Sequence, residues 1–89
     1  MEATAIEKAA NAIADKNRLA IVLEVARKNQ CVCCDLSDLT GLSQPTISHH
    51  VKILVDAGVL VYDKTGRTVQ LTINKEMMKG LSMFFLKLS

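Results

Sequence analysis

No run in this 89-residue chain stays apolar for the roughly 18 residues that a membrane-spanning helix takes, because charged residues interrupt each one. The first residues also lack a basic leader followed by a continuous apolar stretch, so a soluble, cytoplasmic protein with no membrane partner is expected. Catalytic devices are equally scarce. The four glycines are scattered and form no phosphate-cradling loop, no paired carboxylates stand out, and the cysteines have no evident histidine partner, so no enzyme is expected. Excess charge is small: a formal net charge of +2 is compatible with nucleic-acid binding but does not announce it. Arg18, Arg27, Lys28, Lys52, Lys64 and Arg67 are spread along the chain, so the fold must assemble any phosphate-binding surface. Repeats, low-complexity tracts and linkers are missing as well. The expectation is one domain over residues 1–89, at the small end of the range, where association often completes burial.

What the chain does have is pattern. Ala5, Ile6, Ala9, Ala10, Ile13 and Ala14 recur at helical spacing and predict a first amphipathic helix with a close-packing face. From Asn17 the run Leu19-Ala20-Ile21-Val22-Leu23-Glu24-Val25-Ala26 is apolar almost all round, which predicts a central helix covered on several sides. Leu36, Leu39 and Thr40 form a short third helix, capped by Asp35 or a neighbouring cysteine and ended by Gly41. Ser43 suits the N-cap of a fourth, where Pro45 is tolerated in the first turn, and Gly58 stops it after Ala57. Val59 and Val61, then Val69, Leu71 and Ile73, alternate with polar residues around Asp63-Lys64-Thr65-Gly66-Arg67, predicting a hairpin with one buried face. Residues 75 to 88 return to helical spacing with more apolar surface than a short terminal helix can hide alone.

On a helical wheel Ile47, Val51, Leu54 and Val55 share one face of the fourth helix. Ser48, His49 and Lys52 share the other, flanked by Thr46 and His50. Such side chains reach base edges and phosphates, and Gln44 near the helix start could pair with adenine in the major groove. Lys64 and Arg67 on the hairpin suit phosphate or minor-groove contact. The alternative is that the polar face is only solvated. The order helix, tight glycine turn, helix and basic-tipped hairpin is that of a winged helix-turn-helix: mainly α, with about five helices and a two-stranded antiparallel hairpin as a small wing. Ser43, Gln44, Thr46, Ser48, His49, His50, Lys52, Lys64 and Arg67 are therefore the candidate DNA-binding residues.

These motifs resemble those of the ArsR/SmtB family of small transcriptional repressors over nearly the full length. Ala12-Ile13-Ala14-Asp15-Lys16-Asn17-Arg18-Leu19 is similar to the family's opening "ALADxxRL", and Asp35-Leu36 to its "DL". The stretch from Ser43 to Leu54 is similar to its "SQPTxSHHLKxL" recognition helix, and Ala57-Gly58-Val59-Leu60 followed by Gly66-Arg67 to the approach to its wing. The resemblance implies a homodimeric repressor that leaves a palindromic double-stranded DNA operator when an inducer alters the dimer. Ile6, Ala10 and Ile13 with Leu81, Phe84, Phe85 and Leu88 are the candidate dimer contacts, unless they simply close the core of one chain.

Cys31, Cys33 and Cys34 fall within four residues. Soft thiolates select soft ions, so this cluster is the candidate metal site for As(III) or Sb(III), or for Cd(II), Pb(II) or Zn(II) completed by another ligand. DNA binding itself should need no cofactor. Arsenic- and cadmium-sensing relatives carry "CxCDL" here. Aligned on Asp35-Leu36, Cys34 takes the second cysteine's place and Val32 the first; aligned on Cys31-Val32-Cys33, one residue is inserted before Asp35, and the arsenic sensors' further cysteine is Ser37 here. Residues 75 to 89 hold no histidine and only Glu76, so the zinc site that other family members build between their C-terminal helices is not expected. Three uses of the cysteines stay open: a metal or metalloid inducer, a thiol-redox switch, or packing alone. A winged-helix metal-binding or protein-interaction module without specific DNA binding is the further alternative.

Overall fold

A computed structural model describes residues 2–28, 31–32 and 36–89. Helices α1 (Ala3–Ile13) and α2 (Lys16–Lys28) lead into a short strand, β1 (Cys31–Val32). Helices α3 (Leu36–Thr40) and α4 (Gln44–Asp56) follow, then strands β2 (Leu60–Thr65) and β3 (Thr68–Ile73), and finally α5 (Lys75–Leu88). This is the winged helix-turn-helix order. The hairpin gains a third strand: β1 pairs antiparallel with β3, Cys31 opposite Leu71, giving the sheet order β1-β3-β2.

Helices α1, α2 and α4 each contribute a spaced apolar stripe to one core. In α1 these are Ile6, Ala9 and Ala12, in α2 Ile21, Val22 and Val25, and in α4 Ile47, Val51 and Leu54. Leu36 of α3, Leu60 and Leu71 of the sheet and Leu81 of α5 close it. Among the described residues no polar or charged side chain is buried, so the core relies on apolar burial and close packing. Ala10 and Ala14, expected on the packing face of α1, are exposed. On α2 the buried stripe is narrower than its composition predicts, leaving Leu19 and Leu23 at 42% and 60% exposure.

The turns follow local chemistry. Asp15 caps α2, its Oδ2 accepting from the N–H groups of Asn17 and Arg18 at 3.0 Å each. Thr40 Oγ1 donates to Leu36 O at 2.8 Å and accepts from Leu42 N at 3.2 Å, so one hydroxyl organises the corner before α4. Ser43 does stand at the N-cap of α4, yet its hydroxyl meets Thr46 Oγ1 at 3.0 Å and makes no side-chain cap bond. The capping proposed for Asp35 or a cysteine before α3 lies outside the described residues.

Helix α4 ends in a Schellman pattern: Gly58 N donates to Val55 O and Val59 N to Leu54 O, both at 3.0 Å. Gly58 has φ +81, and a Cβ there would sit 2.7 Å from Met77 Cε, the movable end of a flexible side chain. Gly58→Ala should therefore cost mainly the left-handed backbone penalty, roughly 1–2 kcal/mol. Calorimetry should show a fall of about 4–8 °C in Tm for each kcal/mol lost.

The same cap corrects the expected hairpin pattern. Val59 belongs to the helix stop and is buried there, while the strand begins at Leu60. Register then places Leu60 opposite Ile73 and Tyr62 opposite Leu71, so these four share one side of the hairpin, on which Leu60 and Leu71 are buried, Ile73 is half-buried and Tyr62 is 48% exposed. Val61, opposite Thr72, is turned outward and is 44% exposed.

Candidate nucleic-acid interface

Because Ile47, Val51 and Leu54 anchor α4 in the core, the opposite side of that helix is held rigidly at the surface. Thr46, Ser48, His49 and Lys52 are exposed on it, and Ser43 is exposed at its start. Lys52 Nζ lies 3.3 Å from Asp56 Oδ2. Both groups are open to solvent, so the pair contributes little and the ammonium can be redirected to a phosphate. Ile53, which fits neither face of the wheel, packs beside α1 near Asn11 and Ala12.

Two predicted readers already have partners. Gln44 Nε2 donates to Ser37 Oγ at 2.9 Å, which ties the first residue of α4 to α3, so pairing with adenine would require that bond to open. His50 is half-buried, and its Nδ1 receives a bond from Arg18 Nη1 at 3.3 Å. Arg18 also donates through Nε to Ala12 O at 2.7 Å. Its backbone N–H and nearby guanidinium hold the Asp15 carboxyl below its usual range. Sequence reasoning missed this arrangement. Its only trace was the Asp15-Lys16-Asn17-Arg18 string, which carries no indication of a contact 32 residues away.

Lys64 and Arg67 stand exposed near the wing's tip, where Gly66 takes φ +61 in the two-residue link between Thr65 and Thr68. Between α4 and the wing is a hollow of about 350 Å³ lined by Ser48, Val51, Lys52, Val55, Asp56, Tyr62 and Val69. It joins the polar face of α4 to the wing and adds Tyr62, half exposed, to the surface. The position-2 alternation from Leu60 was the available signal for Tyr62. Arg27 and Lys28 are engaged elsewhere: Glu24 accepts from Arg27 Nε at 2.8 Å and lies 3.4 Å from Lys28 Nζ. The Arg27 hydrogen bond pulls the Glu24 carboxyl down in turn.

The candidate dimer residues divide. Ile6 and Leu81 are 7% and 8% exposed, so they close this chain's own core and offer almost no area to a second copy. Ile13 and Phe84 are partly buried against that core, whereas Ala10, Phe85 and Leu88 are exposed. Met83 and Leu86 are exposed beside them on α5 and were not foreseen. Of the thiol cluster, Cys31 is placed by its backbone in β1, and Cys33 and Cys34 lie outside the described residues.

The family model for bacterial regulatory proteins of the arsR family matches residues 15–62, over half of the chain, from the Asp15 cap through the hollow's Tyr62. The chain belongs to the ArsR family. Its fold is that of these regulators, a family of regulatory proteins rather than enzymes. Among ArsR relatives, the chain is 32% identical over 75 residues to the arsenical resistance operon repressor of Bacillus subtilis, covering 84% of this chain and 71% of that one. It is 28% identical to the cadmium resistance transcriptional regulatory protein CadC homolog of Staphylococcus aureus, covering 85% of this chain and 63% of that one. In fold it is similar to the solution structure of a homodimeric winged helix-turn-helix DNA-binding domain from Mycobacterium bovis. That likeness has a TM-score of 0.76 at 17% identity, covering 93% of this chain and 77% of that one. Across the described residues of this ArsR member, no helix is long and apolar enough to cross a membrane.

Proposed function

We propose that this ArsR protein is a homodimeric transcriptional repressor that binds a two-fold symmetric DNA operator through α4 and the wing. In this reading it leaves the operator when Cys31, Cys33 and Cys34 hold a soft metal or metalloid such as arsenite, antimonite or cadmium. The observation that carries the DNA reading is the division of α4. Its inner face is locked in the core, and its outer face presents Thr46, Ser48, His49 and Lys52 beside a wing tipped with Lys64 and Arg67. A rigid helix with short polar side chains is what base-edge contact in a major groove requires.

Dimerisation is supported by the exposed Met83, Phe85, Leu86 and Leu88 of α5, which a second copy would cover. It would also set two α4 helices at the spacing of about 34 Å between successive major grooves. The relatives named for arsenical and cadmium resistance support the inducer class. Three thiols in four residues are the donor set such ions select. A chain of contacts from α3 to α4 supports the coupling of thiols to DNA. In sequence Cys34 stands one residue, Asp35, before the first residue of α3, and Ser37 of α3 accepts the side chain of Gln44, the first residue of α4. Drawing the thiols together would shift the start of α3 and, through Ser37, the reading helix.

Anisotropy titration of labelled symmetric and scrambled duplexes tests the DNA reading. Ser48→Ala and His49→Ala should lose about 1–3 kcal/mol of preference for the symmetric duplex, the worth of a good base contact. Lys64→Ala and Arg67→Ala should weaken binding to both duplexes alike and reduce its salt dependence. Equal affinity of the unmodified protein for both duplexes, with no dependence on salt, would reject the proposal.

A further inference from the structure

We propose that Arg18 is a positioning residue of the DNA-reading surface: it holds His50 in one neutral tautomer, so that the ring offers DNA a fixed N–H donor at Nε2. The inference rests on the reading of α4 as the DNA-contacting helix and adds to it a residue that lies on another element. A guanidinium has donors only, and it stays charged. The ring nitrogen 3.3 Å from Arg18 Nη1 must therefore supply a lone pair, which assigns Nδ1 as the acceptor and puts the proton on Nε2.

Arg18 is itself held firmly. Its Nε donates to the carbonyl of Ala12, a residue only 2% exposed, and its backbone N–H is capped by Asp15. One planar group thus bridges the end of α1 and the middle of α4 through two separate nitrogens in a fixed fork, a geometry that an ammonium with a single nitrogen does not reproduce. The adjacent histidines are consequently unlike each other. His49 is exposed, with its ring centroid 6.1 Å from that of His50, and it is not the acceptor of the guanidinium bond. It serves as an internal reference.

Long-range proton–nitrogen correlation spectra of the full ¹⁵N-labelled chain at neutral pH test the assignment without DNA. The expected pattern is an unprotonated Nδ1 and a protonated Nε2 for His50, against an exchange-averaged pattern for His49. Arg18→Met should collapse His50 to the averaged pattern and lower affinity for a symmetric duplex about tenfold, the loss of roughly one hydrogen bond. Arg18→Lys should fail to restore either. His50→Gln, whose amide carries an acceptor and a donor on one planar group, should keep affinity within about threefold. It requires no change at Arg18, so it tests the donor even if the Arg18 variants unfold. A protonated Nδ1 or an averaged His50 in the unmodified chain would overturn the proposal, as would tautomer collapse in Arg18→Met with unchanged affinity. If the unmodified chain shows no preference for symmetric DNA, the reading of α4 fails and the donor role with it, while the spectra still decide the Arg18–His50 contact.

Discussion

Exchanging Cys31, Cys33 and Cys34 together for serine is expected to leave operator binding intact and to abolish its release by arsenite or cadmium. Serine preserves side-chain size but removes the soft thiolate, and the hydroxyl remains protonated and binds such ions poorly. None of the three residues lies on the exposed face of α4 or on the wing tip, so the DNA contacts should survive. Couplings between an effector and a ligand typically amount to 1–3 kcal/mol, about 5–150-fold in affinity. The reduced, unmodified protein should therefore lose operator affinity within that range on addition of the ion and develop thiolate charge-transfer absorbance, and the triple variant should do neither. Equal release from both proteins would remove the cysteines from the signal. Release by peroxide, reversed by a thiol reductant, with no response to the ions, would replace the metal inducer with a redox one.

Leu54→Ala is expected to destabilise the chain by roughly 2–5 kcal/mol, the range for truncating a fully buried leucine. Leu54 has no exposed surface, and it sits in the last turn of α4, where its carbonyl also receives the Schellman bond from Val59. Alanine keeps the carbonyl but leaves a cavity bounded by residues of several elements, which cannot all collapse inward. Against a total stability of about 5–15 kcal/mol for domains of this kind, such a loss is large. Urea unfolding should show a lower midpoint with an unchanged slope. Ser48→Ala on the exposed side of the same helix should stay within about ±0.5 kcal/mol. A Leu54→Ala midpoint equal to that of the unmodified chain would mean that the core does not depend on the inner face of α4.

Much of the architecture was legible because apolar spacing and turn chemistry are local. Ile47, Val51 and Leu54 at helical intervals, Ser43 before Pro45, and Gly58 after Ala57 bounded α4 to within a residue. The hairpin was legible as an element and in the facing of β3, where Leu71 is buried with Val69 and Ile73 partly so, but not in the facing of β2. Val59 and Val61 read as an alternating strand pair, and the helix cap consumed Val59 and shifted the β2 alternation to Leu60, which is buried, and Tyr62, which is half exposed. Strand β1 was missed because two residues carry no periodicity, and their pairing partner lies forty positions away.

By itself the sequence determined the order of the five helices and the hairpin, the polar and apolar faces of α4, the thiol-rich stretch before α3 and the family, since each is written in neighbouring residues. Only the tertiary structure decided which apolar residues close the core and which stay exposed: Ile6 and Leu81 turned inward, Met83 and Leu86 outward. It alone decided that Gln44 and His50 are not free readers but are held by Ser37 and Arg18. A side chain's hydrogen-bond partner is fixed by packing between elements, and the composition of either element alone does not specify that geometry.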